Sequence, residues 1–201
     1  MDSKRLKKLK LSKPKTIPFT PNPSLLLHPN IPLPLHGTNP RTILGENWWN
    51  KERRATYKAS SHHCQACGVH ASEAKSRQWM EAHETYTINY KTGRMVYRGA
   101  VSLCHYCHAY LHGGRLIWLL ETGQIHHAKY CSILQHGDRV LATAGLSRES
   151  KEIRDKKIHE QEIAPWGSWR LQIGRKLYPP KFKNYQQYWM AQQQMEKRDE
   201  N

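Results

Sequence analysis

Two pairs of cysteines constrain this chain more than any other feature. Cys64-Gln65-Ala66-Cys67 and Cys104-His105-Tyr106-Cys107 repeat a C-x2-C spacing, with 36 residues between the pairs. A knuckle of that spacing turns two sulfurs toward one point. Two knuckles can close a tetrahedron around zinc with bonds of about 2.3 Å. Cys64, Cys67, Cys104 and Cys107 are therefore the expected ligands of a structural Zn2+. Such pairs are usually separated by about 15–20 residues, so this interval must enclose further structure. Residues 81–99 supply it as a β-hairpin, with Thr85-Tyr86-Thr87-Ile88-Asn89-Tyr90 and Arg94-Met95-Val96-Tyr97 flanking a turn at Lys91-Thr92-Gly93. After Cys107, His108-Ala109-Tyr110-Leu111-His112 reads as a helix stopped at Gly113-Gly114. That helix places His108 and His112 on one face, four residues apart. The predicted order is knuckle, hairpin, knuckle, helix.

The charge balance narrows the partner. Lysine and arginine number 32 against 16 aspartate and glutamate, a net charge of +16 over 201 residues. Such an excess points to a polyanion, most often nucleic acid. No apolar run approaches the 18 or so residues of a membrane span. The basic N-terminus lacks the apolar stretch and cleavage site of a secretory signal. Five cysteines, four of them in metal-type pairs, suit a reducing compartment, and a cytoplasmic location is expected. Cys131, left over, reads as a small buried hydrophobe. With 38% hydrophobic residues and two Phe, the core is small, so the seven Trp and ten Tyr must carry much of the packing. A zinc staple compensates for such a core.

Three segments follow from composition. Residues 1–38 form a basic, proline-rich arm. Lys4, Arg5, Lys7, Lys8, Lys10, Lys13 and Lys15 read as phosphate contacts. Eight of the eleven prolines fall in residues 14–40, which favours extended backbone. The interspersed Ile17, Phe19, Leu25, Leu26, Leu27, Ile31, Leu33 and Leu35 suggest that this arm wraps the domain or a second subunit. Residues 39–146 form the zinc-bearing domain. Asn39-Pro40 opens a helix running through Trp48 and Trp49 to about Lys58, with one of the two Trp expected in the core. His62, His63, His70 and His105 lie near the cysteines, but four thiolates complete a tetrahedron, so these read as surface or outer histidines. Helices are expected over 115–121 and 126–144, the latter with a weak point at Gly137 and surface histidines at His126 and His127. Residues 147–201 form a C-terminal strand and helix extension. Its charged 147–157 stretch precedes a hairpin or strand around Trp169–Ile173 and a helix carrying Tyr185, Tyr188, Trp189 and Met195. The arm and this last helix leave room for a homodimer.

About 50 residues of the chain resemble the zinc-knuckle branch of the HNH (ββα-metal) nucleases, particularly a phage and bacterial subset. The resemblance rests on Cys64 and Cys67, the strand ending at His83, Leu103-Cys104-x2-Cys107-His108, and His112. Most members end that strand with Asp-His or His-His, where this chain has Ala82-His83-Glu84. Gly99 stands at the position of the family's middle Asn. The resemblance implies an α+β fold: a ββα-metal core stapled by the four-cysteine zinc, with added helices and a proline-rich extension. It implies a divalent-metal-dependent endonuclease that cleaves DNA in a bacterial cell or phage-infected host, with duplex, branched and single-stranded substrates all left open. His83, Glu84 and His112 are the implied catalytic residues. His83, His108 and His112 are the implied ligands of Mg2+ or another divalent ion. Two registers stay open. His83 is either the base, with Ala82 in place of a strand ligand, or the strand ligand, with Glu84 as base or second ligand. The competing reading is a catalytically degenerate zinc-stapled module that binds DNA or a protein assembly.

Overall fold

The structure, a computed structural model, describes residues 19–149 and 163–199. The basic arm of residues 1–15 and most of the charged 147–157 stretch lie outside these residues, as does the side chain of Met195. The described part is a mixture of helices with one four-stranded sheet in the order β1-β2-β3-β4.

Asn39 caps the first helix, α1 (Pro40–Leu44), through a reciprocal capping box with Thr42, and Pro40 occupies the first turn. The single helix expected from sequence is split. Gly45 takes φ +85°, outside the helical region, and α2 (Glu46–Ala59) starts afresh after it. Trp49 is the core anchor, whereas Trp48 is half-buried and meets the Tyr97 ring edge-on.

The hairpin is longer than the sequence suggests. β1 (Glu81–Asn89) pairs antiparallel with β2 (Arg94–Leu103), from Glu81↔Leu103 to Asn89↔Arg94. His83 is thus the third residue of β1 rather than the end of a strand. The ladder continues because the strand ends beside it, including the buried Leu103, still have core to cover. The register shifts between Thr85 and Tyr86, opposite Gly99. Gly99 adopts φ +114°, which side-chain-bearing residues avoid, and its carbonyl accepts a bond from the Thr85 hydroxyl. The glycine is what this bulge requires.

Cys104 then caps α3 (His105–Leu111). The chain does not stop at Gly113-Gly114. It pivots at His112 (φ −88°, ψ 53°) and enters α4 (Gly113–Glu121). The next helix, α5 (His127–Ala142), lies against α3. Gly137 is their contact point, not a weak one. A Cβ there would fall inside the van der Waals envelope of the buried Tyr110 ring. That ring is pinned by its hydroxyl donating to Asp138 Oδ1 at 2.7 Å and by the Arg148 guanidinium 4.0 Å over its face. Gly137→Ala should destabilise the protein by about 2 kcal/mol in urea unfolding, because overpacking costs about 1–3 kcal/mol and the helical gain from alanine offsets about 1 or less. An unchanged midpoint would show that α5 can shift away.

Beyond residue 162 the chain returns to the sheet. β3 (Arg170–Ile173) lies parallel to β2, pairing Met95 with Leu171, and β4 (Lys176–Tyr178) folds back on β3. Trp169, Leu171, Met95, Tyr86, Leu35 and Ala164 form a second core under this end. The first core surrounds the cysteines and includes Leu26, Leu103, Tyr110, Leu116, Ile133 and Leu141. Leu26 sits in a 3-10 turn of the proline-rich segment (Pro23–Leu27), which lies against α3 and α5. Asn22 N–H bonds the Gln65 carbonyl of the first knuckle at 2.7 Å, tying that segment down. The last helix, α6 (Tyr185–Asp199), touches the body through Tyr188, whose hydroxyl lies 3.2 Å from His36 Nδ1, while Tyr185 and Trp189 stay half in water. No helix among the described residues is long and apolar enough to cross a membrane.

Candidate metal centres

The two knuckles converge as their spacing predicts. The sulfurs of Cys64, Cys67, Cys104 and Cys107 lie within 4.8 Å of one another, and Cys67 Sγ is 3.8 Å from Cys104 Sγ. Ligands about 2.3 Å from a tetrahedral zinc sit about 3.8 Å apart along each edge, so the spacing fits. All but Cys67 are buried. Hydrogen bonds from Cys107, then Cys64 and Cys67, hold the Cys104 thiol far below its ordinary value, while Cys107 is driven far up by the same bond. Four sulfurs packed this closely can share protons, but all can ionise together only around a cation. The donor set, geometry and burial are compatible with zinc. His136 Nε2 on α5 lies 3.3 Å from Cys107 Sγ and connects that helix to the cluster. Nothing in the local spacing announces His136, because it lies 29 residues from Cys107. His62, His63 and His70 stay outside the cluster. The His63 ring stacks on Phe19 at 5.3 Å and faces His70.

A second cluster lies where β1 meets α3. Ring nitrogens of His83, His108 and His112 converge within 4.8 Å. His112 Nε2 is 3.1 Å from both His83 Nδ1 and His108 Nε2. His112 Nε2 carries one proton or one lone pair, so these two close contacts compete for it. A cation resolves that conflict. Nitrogens about 2.0–2.1 Å from an ion are separated by about 3.3–3.4 Å in a tetrahedron and about 2.9 Å at right angles, and 3.1 Å lies between.

The surroundings keep the imidazoles in the ligating form. Burial first, then the neighbouring His112 and His108, pushes the pKa of His83 down to about 2. Burial and His108 bring His112 down to about 4. Glu81, two residues before His83 on the same face of β1, accepts from His108 Nδ1 with one oxygen and from His105 Nδ1 with the other, at 2.9 Å for the latter. Burial alone would raise the Glu81 carboxyl, but the bonds from His105 and His108 hold it well below the usual carboxylate range. An ionised Glu81 only accepts, so His108 donates from Nδ1, and its Nε2 is the nitrogen that faces the cluster. His28, carried in by the proline-rich segment, takes the Tyr86 N–H at 2.7 Å and sets its ring 5.6 Å from His83, edge-on. Burial lowers its pKa as well.

Glu84 is not brought into this cluster. It follows His83 in an extended strand, so its side chain leaves the opposite face. Its charge acts there on the phenols of Tyr86 and Tyr97. His126 and His127, at the start of α5, are exposed and belong to neither cluster.

Sequence reasoning missed Glu81, His28 and His136, while His105, read as an outer histidine, is a partner of Glu81. For Glu81 a signal existed: its offset of two from His83 in a strand, and the offset of three between His105 and His108 on a helix, put each pair on one face. The chain matches no protein-family model, and neither the curated proteins nor the solved structures give a significant match.

Proposed function

We propose that the chain is a metal-dependent endonuclease of the HNH type acting on DNA, with zinc on the four cysteines as its staple. The observation that carries this reading is the convergence of three imidazole nitrogens beside a carboxylate-held His108, at the junction of hairpin and helix. His83 from the strand and His108 and His112 from the helix would hold one divalent ion. Such an ion supplies Lewis acidity to a scissile phosphate and charge for the leaving oxygen. Glu81 fixes the tautomer and direction of His108, and the buried wall around His83 keeps that ring neutral. The net charge of +16 favours a polyanionic substrate.

Three nitrogen donors select a borderline transition ion over Mg2+, which prefers oxygen ligands and keeps its waters. The test is incubation of zinc-loaded protein with plasmid, single-stranded and branched DNA, adding Mg2+, Mn2+, Co2+ or Ni2+ in parallel. Cleavage should be strongest with Co2+ or Ni2+ and weakest with Mg2+. No cleavage of any substrate with any ion would leave a zinc-stapled DNA-binding module instead.

A further inference from the structure

Trp79 is hard to account for by folding. The indole is 55% exposed, whereas the core indoles Trp49 and Trp169 are 8% and 1% exposed. It ends a run, residues 75–79, that is exposed throughout and carries Lys75 and Arg77 but no acid. The Arg77 guanidinium lies 5.4 Å from the Trp79 ring centre, and its Nη1 reaches Glu81 Oε1 at 3.3 Å. Glu81 in turn holds His108. This cation and indole are therefore one carboxylate away from the histidine cluster. Arg115 stands three residues after His112, in the first turn of α4. Two cations thus belong to the segments that carry the cluster, Arg77 just before β1 and Arg115 in α4.

We propose that Trp79, with Arg77 over it, is a stacking platform for an unpaired base of the DNA strand whose backbone crosses the histidine cluster between Arg77 and Arg115. This rests on the nuclease reading above and deepens it to a substrate class: DNA that is single-stranded, or locally unpaired, next to the scissile phosphate. Duplex DNA presents phosphates and groove edges to a protein surface, and its base faces are occupied by neighbouring bases. An indole face beside a guanidinium suits a base released from its stack, and such contacts tolerate any sequence because every base has a π-face. The two arginines supply phosphate contacts without base preference.

The experiment is fluorescence anisotropy of the full-length, zinc-loaded protein with labelled oligothymidylate of about 15 nucleotides, and with a duplex of equal length, at several salt concentrations and without a second added ion. Trp79→Ala should weaken oligothymidylate binding about tenfold or more and change duplex binding by less than about twofold. Trp79→Phe should keep most of the single-strand affinity. Arg115→Gln should reduce the slope of log K against log[salt] by about 0.7 on the single strand. Zinc content and circular dichroism establish that each variant is folded. The platform is refuted if Trp79→Ala affects both ligands equally or neither, if Trp79→Phe is as weak as Trp79→Ala, if the Arg115→Gln slope is unchanged, or if unsubstituted protein ignores oligothymidylate. No cleavage enters this readout. Failure of the plasmid assay would thus strike the nuclease reading alone, and failure here the platform alone.

Discussion

Cys104→Ser should release the zinc and unfold most of the protein. Structural zinc in small domains contributes about 10–16 kcal/mol of apparent binding free energy at neutral pH. The whole stability of a domain is about 5–15 kcal/mol, so the staple is comparable to everything else combined. Three features make this chain dependent on it. Cys64, Cys104 and Cys107 belong to the larger core with Leu26, Leu103, Tyr110 and Leu141, and Cys67 packs against it. Cys104 joins β2 to α3. The first knuckle also anchors the proline-rich segment through Gln65. Elemental analysis should find zinc in the parent protein and little in Cys104→Ser, whose thermal transition should be lost or shifted down by tens of degrees. A parent protein that folds with no zinc bound would contradict the assignment.

The histidine cluster predicts the second large effect. His83→Ala and His112→Ala should each abolish detectable cleavage and weaken binding of Co2+ or Ni2+ at the second site, because each removes one of the three nitrogens proposed to hold the ion. Glu81→Gln should weaken that binding by about 10–100-fold, the usual cost of losing a carboxylate behind a ligating histidine. Glu84→Gln, on the other face of the strand, should leave cleavage near normal. Isothermal titration of the second ion beside cleavage rates separates the possible roles of His83. A lost rate with unchanged ion affinity in His83→Ala would make His83 the general base rather than a ligand. A deep loss in Glu84→Gln would overturn the face assignment.

The readable parts of this chain are those in which chemistry depends on local offsets. The C-x2-C pairs and the four-residue step from His108 to His112 belong to one turn each, and both converge as expected. What could not be read depends on which distant segments meet. Glu81 gains its role only when β1 is laid beside α3, and His28 only when a segment 55 residues upstream of His83 crosses the strand. The parallel pairing of Arg94 with Arg170 has no local signature at all. Gly137 was misleading for the same reason. Within its own helix glycine is a defect, and only the Tyr110 ring opposite explains it. His112 likewise reads as the last helical residue, yet it is the pivot between two helices, which the glycines after it permit without ending the path.

The seven-residue helix α3, with its two caps, serves both clusters. Cys104 caps the helix and Cys107 lies in it, facing the knuckle, while His105 and His108 face Glu81 and His112 closes its end. A helix of two turns does not hold itself in water. His108 is thus held next to a cysteine of the first cluster, so if both centres take ions, filling one is expected to alter affinity at the other. Linkage would make that dependence reciprocal: if zinc on the cysteines favours an ion among the histidines, that ion favours zinc by the same factor. Oxidation of the thiolates, or competition for zinc, would then silence the second centre without touching any of its ligands. The chain would act as a coincidence detector that requires two different ions at once.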